Sequence, residues 1–214
     1  MALSERDKTY FDTFGYLHLP GLFAEDIADI SSRFDALFET HKKDVVDWVH
    51  EVHDNKERRF ITDVTEKDDY FGGLLQDPRI RGVAAGLLGE DYDFIGSDAS
   101  IYNCGTNFHQ DGAGIVNPDA VYVKMALYLD PADEETGAIR VIPGTQHRGD
   151  KFTQLVNRNI WLHKHHLDLA TDEVPAKVLP SMPGDLLLWD YRILHATRYG
   201  GNQRRMLALE FCRD

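Results

Sequence analysis

His109 and Asp111 stand two residues apart in the stretch NFHQDGAG (107–114). In an extended segment, residues i and i+2 project to the same face, so an imidazole and a carboxylate at this spacing can share one metal ion. The tripeptide alone says little, because ten histidines in 214 residues yield about one H-x-D by chance. A second copy does occur, His166–Leu167–Asp168 within WLHKHHLD (161–168), beside His163 and His165. That cluster reads as a polar, partly exposed loop or short helix. Context separates the two copies. His109 and Asp111 follow a strand-forming run and sit among Gly105, Gly112 and Gly114, small residues that leave room for a ligand near the backbone. The third donor is sought in His195, which lies between two apolar strands in GDLLLWDYRILHATRYGGNQRRMLALEF (184–211) and must reach His109 through folding. Two imidazoles and a carboxylate on one face of an octahedral ion leave three positions free, the facial triad of non-haem iron(II) oxygenases.

The elements that must position these residues divide the chain. Ser4 caps a first short helix with Tyr10, Phe11 and Phe14 on its apolar side, ending near Gly15, and residues 15–23 read as an extended crossing segment. Ile27, Ile30, Phe34, Leu37 and Phe38 recur at helical spacing between residues 24 and 41. Residues 42–71 are charged and irregular, the composition of a mobile cover or lid in which Phe60 and Tyr70, with the distant Trp161, are candidate walls. Asp77, Pro78 and Gly89 bracket a third helix. Beyond residue 90 the punctuation changes to short runs of strand formers, 93–103, 120–130, 138–144, 176–184, 184–190 and 204–211, separated in many places by glycine or proline. This pattern predicts a mainly β fold, an antiparallel sandwich or barrel with helices against it. We expect one domain over 1–214, with 1–90 mostly helical support and lid and 91–214 the β core.

Composition narrows the function classes. A net charge of −13 and a pI near 5.1 repel nucleic acid and anionic membranes, and the basic clusters KERR (56–59) and QRR (203–205) read as solvated faces. No apolar run approaches the ~18 residues of a membrane span, and the N-terminus lacks the apolar segment of an export signal. Cys104 and Cys212, the two cysteines, are expected as buried thiols, and the expected location is the cytoplasm.

Four stretches in order resemble the phytanoyl-CoA dioxygenase-like family of iron(II)- and 2-oxoglutarate-dependent oxygenases: FGYLHLPGLF (14–23), HQDG (109–112), YLDPADEETGAIRVIPGTQH (128–147) and residues 184–211. The resemblance covers nearly the whole chain. It implies a double-stranded β-helix, a cupin-like jelly roll, and hydroxylation of an unactivated C–H bond of a small molecule by O2, with release of succinate and CO2. His109, Asp111 and His195 match the iron ligands, and Arg204 matches the arginine on the distal carboxylate of 2-oxoglutarate, a role suited to a planar, permanently charged fork. Thr197 matches a hydroxyl on that same carboxylate, and Asn103 falls near a position that often touches the co-substrate. Where many members carry a tryptophan on the strand after the metal motif, this chain presents Lys124, Ala126 and Tyr128 on one face. Lys124 is a candidate for charge toward 2-oxoglutarate or substrate, although a strand lysine more often faces solvent at an edge. Arg205 rivals Arg204, and alternation lets only one of them point inward; the spacing favours Arg204. Related halogenases replace the carboxylate ligand by a small residue, so Asp111 favours hydroxylation, with desaturation or ring closure requiring only a different substrate pose.

Two other classes use similar residues. A non-catalytic metal-binding jelly roll, sensing or storing a ligand, is expected if the triad forms but Arg204 does not reach it. A zinc hydrolase would also use histidine and aspartate, but the chain has no H-E-x-x-H or H-x-H-x-D run.

Overall fold

The structure, a computed structural model, describes residues 2–50, 57–112, 117, 120–147, 149–158, 160, 173–199 and 203–214. Helix α1 (Glu5–Phe14) begins at a capping box in which the Ser4 side chain accepts from Asp7 N while the Asp7 carboxylate accepts from Ser4 N. It ends at Gly15, whose φ of 79° turns the chain into strand β1 (Tyr16–Leu19). Helix α2 (Ile27–Thr40) buries Ile30, Phe34, Leu37 and Phe38. Strands β2 (Val46–Val49) and β3 (Glu57–Thr62) come next, then short helices α3 (Val64–Lys67) and α4 (Asp69–Leu74). Helix α5 (Pro78–Leu88) starts as its sequence predicts, with the Asp77 carboxylate on Arg79 N and proline in the first turn. The remainder is β4 (Asp93–Tyr102), β5 (Thr106–His109), β6 (Val121–Tyr128), β7 (Ile139–Ile142), helix α6 (Lys151–Asn157), β8 (Lys177–Leu179), β9 (Leu186–Asp190), β10 (Leu194–Thr197) and β11 (Arg204–Arg213).

These strands form two antiparallel sheets, one of seven in the order β1-β9-β6-β11-β4-β3-β2 and one of four in the order β5-β10-β7-β8. The expected jelly-roll core with helices against it is therefore what the chain builds. Alternation along β6 explains the layering. Val123, Met125 and Leu127 pack with Phe11 of α1, Phe34 of α2 and Ile80 of α5 in one apolar cluster. Ala126 and Tyr128 point the other way, against Ile139 and Val141 of the small sheet. A strand covered on both faces reads as a near-continuous apolar run. Each fully buried Phe or Leu in these layers contributes roughly 1.5–3 kcal/mol of burial free energy, which is what holds the sheets in register around the site.

Residues 42–71 depart from the irregular cover expected of their composition. Strands β2 and β3 extend the large sheet at one edge. The strand pattern is hidden because charge falls on both faces of β3: Arg58 turns toward the sheet interior, while Arg59 turns toward Asp47 and the ring of Phe38. Trp161, His163, His165, His166, Asp168 and Gly114 lie outside the described residues. Cys104 and Cys212 are buried thiols, as expected. No described helix is long and apolar enough to cross a membrane.

Candidate metal centre

Two short strands of the small sheet place the histidines. His195 of β10 is directly opposite His109 of β5 in an antiparallel pair, and their rings lie 4.3 Å apart between centroids. Asp111 follows β5 in a turn that Gly112, at φ 60°, allows. Its backbone N–H donates to Tyr191 O at 2.9 Å, and the Gln110 side chain donates to Arg192 O. The turn between β9 and β10 thus holds the aspartate loop in place. Gly105 has a different duty from the one expected. A Cβ there would meet Thr197 O at 2.6 Å, so glycine admits the close passage of β10 rather than a ligand.

The geometry suits a metal. One ligand atom from each of His109, Asp111 and His195 lies within 4.8 Å of the other two, and among the described residues this is the one such group of His, Cys, Asp or Glu. Asp111 Oδ1 is 3.9 Å from His109 Nε2, and Oδ2 is 3.7 Å from His195 Nε2. Each imidazole donates Nδ1–H to the carbonyl two residues earlier, His109 to Asn107 O at 2.7 Å and His195 to Ile193 O at 3.1 Å. Those bonds orient the rings and turn both Nε2 atoms toward the cluster. Burial, with help from the neighbouring His109, pushes the pKa of His195 down to about 4, so its ring is neutral at pH 7. Burial would raise the Asp111 pKa, but Lys124, His195, His109 and the Trp189 hydrogen bond hold it well below the usual carboxylate range. Two imidazole nitrogens and one carboxylate oxygen are the donor set expected for ferrous iron with open positions.

Trp189 is a site residue that the sequence did not announce. It lies on β9 opposite Lys124 of β6, and its indole N–H donates to Asp111 Oδ2 at 3.0 Å. Groups that orient a ligand typically account for 10–100-fold in metal affinity. Trp189→Phe keeps the ring and removes the donor, so ferrous ion affinity should fall within about that 10–100-fold range, read by anaerobic titration of the metal-free protein. Unchanged affinity would leave the aspartate's orientation to Lys124 alone.

A cavity of about 220 Å³ opens beside the triad, and Arg204 and Thr197 both line it. Arg204 is 1% exposed. Its Nη1 donates to Thr136 O at 3.3 Å, whereas its buried Nε has no hydrogen-bond partner among the described residues. An unpartnered donor on a buried cation is costly unless an anion completes it, which fits a carboxylate bound there. Arg205, the rival, faces away from the cavity, with Asp130 at 2.8 Å and Asp35 at 3.0 Å. Lys124 corrects the edge-strand expectation. It lies in the middle of the large sheet, between β9 and β11, and lines the cavity. Its ammonium is already engaged, 2.9 Å from Glu210 and 3.6 Å from Asp111. Burial would discharge it, but Asp111, Glu210 and Asp98 keep its pKa well above the ordinary value. Asn103 does not join the wall; Tyr102, one residue earlier, does, and Asn103 N donates to Glu57 O. Arg58, taken from sequence as part of a solvated basic face, lines the cavity too.

A sequence model of the phytanoyl-CoA dioxygenase (PhyH) family matches residues 11–206. L-proline trans-4-hydroxylase of Streptomyces griseoviridis is 28% identical over 153 residues, covering 66% of this chain and 55% of that protein; the chain thus spans about half the length of this curated relative. Among solved structures, the non-heme alpha ketoglutarate dependent epimerase SnoN from nogalamycin biosynthesis is 18% identical with a TM-score of 0.74, covering 97% of this chain and 82% of that one. EctD from S. alaskensis with bound Fe is 19% identical with a TM-score of 0.72, covering 98% and 76% respectively. At such identities the likeness is one of fold.

Proposed function

The chain belongs to the phytanoyl-CoA dioxygenase family, and from that premise we propose that it is an iron(II)- and 2-oxoglutarate-dependent dioxygenase that hydroxylates an unactivated C–H bond of a small molecule. The observation that carries the reading is the convergence of His109, Asp111 and His195 within one ligand cluster beside a cavity lined by the buried Arg204. The proline hydroxylase among its relatives supports the reaction class, and EctD and HygX structures holding Fe, or nickel and 2-oxoglutarate, support the cofactors. When bound, ferrous iron and 2-oxoglutarate activate O2: the co-substrate leaves as succinate and CO2, and one oxygen atom ends in the product hydroxyl.

The chain's own residues do the positioning. His109, Asp111 and His195 would hold the metal, and Trp189 with Lys124 would orient the aspartate for it. Arg204, whose Cζ lies 5.4 and 5.8 Å from the ring centroids of Tyr102 and Tyr128, would take the distal carboxylate of the co-substrate. Burial pushes the Tyr128 pKa up to about 12, so that wall stays neutral and the arginine's charge is left for the anion. Thr197, 7% exposed on the same wall, offers its hydroxyl. The apolar layer of Ile139 and Met206 excludes water behind these groups. We place all of this in one unit over 1–214, acting in a reducing compartment such as the cytoplasm, which suits two buried thiols.

The test is an anaerobic titration of the ferrous protein with 2-oxoglutarate, followed by admission of O2. A visible charge-transfer band and then succinate are the expected results. Metal binding without the band or any consumption of 2-oxoglutarate would reduce the site to a metal-binding jelly roll.

A further inference from the structure

Three side-chain cations line the cavity, and the co-substrate would engage one of them. Arg58, Lys124 and Arg204 line it against the single carboxylate of Asp111, in a chain with a net charge of −13. The acids that offset two of these cations stand outside the lining: Glu210 is 2.9 Å from Lys124, and Asp98 is 2.9 Å from Arg58. Acids are thus kept behind the wall and cations in it. Lys124 is committed to Asp111 and Glu210, and Arg204 to the co-substrate. Arg58 remains.

Strand register shows where Arg58 stands. Trp48, Arg58, Tyr102 and Arg204 are paired in sequence across β2, β3, β4 and β11, forming one row on the inner face of the large sheet. Arg204 at one end is 1% exposed and Trp48 at the other is 37% exposed, so the row runs from the floor of the cavity to its mouth. The Tyr102 ring lies between the two guanidiniums, 5.1 Å from Arg58 Cζ and 5.4 Å from Arg204 Cζ. Arg58 and Arg204 are thus two strands apart, with Tyr102 on the strand between them. Arg58 is fixed from behind: Nη2 donates to Asp98 Oδ1 at 2.9 Å and to Ser100 Oγ at 2.7 Å, and Nε donates to Ser100 Oγ at 3.2 Å. Its Nη1 has no hydrogen-bond partner among the described residues. The rings of Phe60 and Trp48 flank the guanidinium at 4.5 and 5.9 Å. A guanidinium already locked on one edge spends little ordering free energy when its other edge takes an anion.

The geometry points to Arg58 as the recognition residue for a carboxylate on the organic substrate, seated between Trp48 and the metal triad. The substrate class is a small carboxylic acid with an apolar skeleton, the carboxylate on Arg58 and the skeleton against the aromatic rings. This assignment rests on the oxygenase reading above.

The experiment uses the ferrous protein loaded anaerobically with 2-oxoglutarate and titrated with cyclopentanecarboxylate and octanoate, each against its neutral primary amide, the spectral change of the charge-transfer band reporting binding. Wild type should bind at least one acid tenfold or more tighter than its amide, a difference of about 1.4 kcal/mol. Arg58→Gln should form the charge-transfer band as wild type does but bind acid and amide alike, and Arg58→Lys should keep part of the preference. Amides binding as well as acids in wild type, no binding of either acid, or a preference that survives Arg58→Gln would overturn the assignment. A band lost only in Arg58→Gln would also overturn it, by making Arg58 a co-substrate ligand. Absence of the band in wild type is a different failure, that of the oxygenase reading itself.

Discussion

In His195→Ala, succinate release from 2-oxoglutarate falls by more than about a hundredfold, beyond what loss of a group that merely supports a ligand costs, while the fold persists. The first half follows from the ligand count. Removing the β10 imidazole leaves one nitrogen and one carboxylate, and nothing among the described residues replaces it. The second half follows from its surroundings. His195 donates a single hydrogen bond, to Ile193 O two residues earlier, and its backbone stays in a strand paired on both sides by β5 and β7. Truncation opens space beside Trp189 but strands no buried charge, because the ring is neutral at pH 7. Asp111→Ala should be equally inactive and less stable, since it leaves Lys124 with one acid where it had two. Circular dichroism, a ferrous titration and a succinate assay separate these effects. Wild-type turnover in either variant would remove both residues from the metal set.

Arg204→Ala acts on the other end of the co-substrate. Truncating one partner of a buried, hydrogen-bonded charge pair typically costs about 2–5 kcal/mol, so the apparent affinity for 2-oxoglutarate should weaken by at least roughly 30-fold. Ferrous ion affinity should stay the same, as Arg204 is absent from the ligand cluster. A ligand at a hundred times its dissociation constant raises stability by about 2.7 kcal/mol, so the melting shift that 2-oxoglutarate gives the wild type should be largely lost in this variant. Arg205→Ala is the control. It gives up the ion pairs to Asp130 and Asp35 outside the cavity and should leave co-substrate affinity alone; the opposite pattern would exchange the roles of the two arginines.

How legible these features were depended on whether their partners lie close in sequence. The helix α1 capping box and the Asp77–Pro78 start of α5 are local, and both stand where the sequence puts them. The sheets follow from alternating apolar runs, which tertiary packing reinforces. The triad residues could be named because one pair is two positions apart and the third stands in a recurring family stretch. Arg58 could not be placed that way, and Lys124 stood only as a candidate beside an edge-strand reading. A charged residue is read as exposed unless a counter-charge is known, and Asp98 lies 40 residues from Arg58, while Lys124 meets Glu210 only because β6 pairs with β11. The strand β3 was hidden for the same reason, its inward arginine disguising the apolar alternation. Trp189 looked like core in the run LLLWD, and it is 4% exposed; only the fold shows that its one polar atom is turned onto Asp111.

The histidines belong to the four-stranded sheet and Arg204 to the seven-stranded one. A molecule gripped at one end by the metal and at the other by the arginine is therefore a cross-brace between two leaves that are otherwise held together largely by oily contacts. On the proposed function, loading should tighten the whole scaffold and consumption of the co-substrate should slacken it, so that resistance to proteolysis would gauge how much of the protein stands ready for its next turnover.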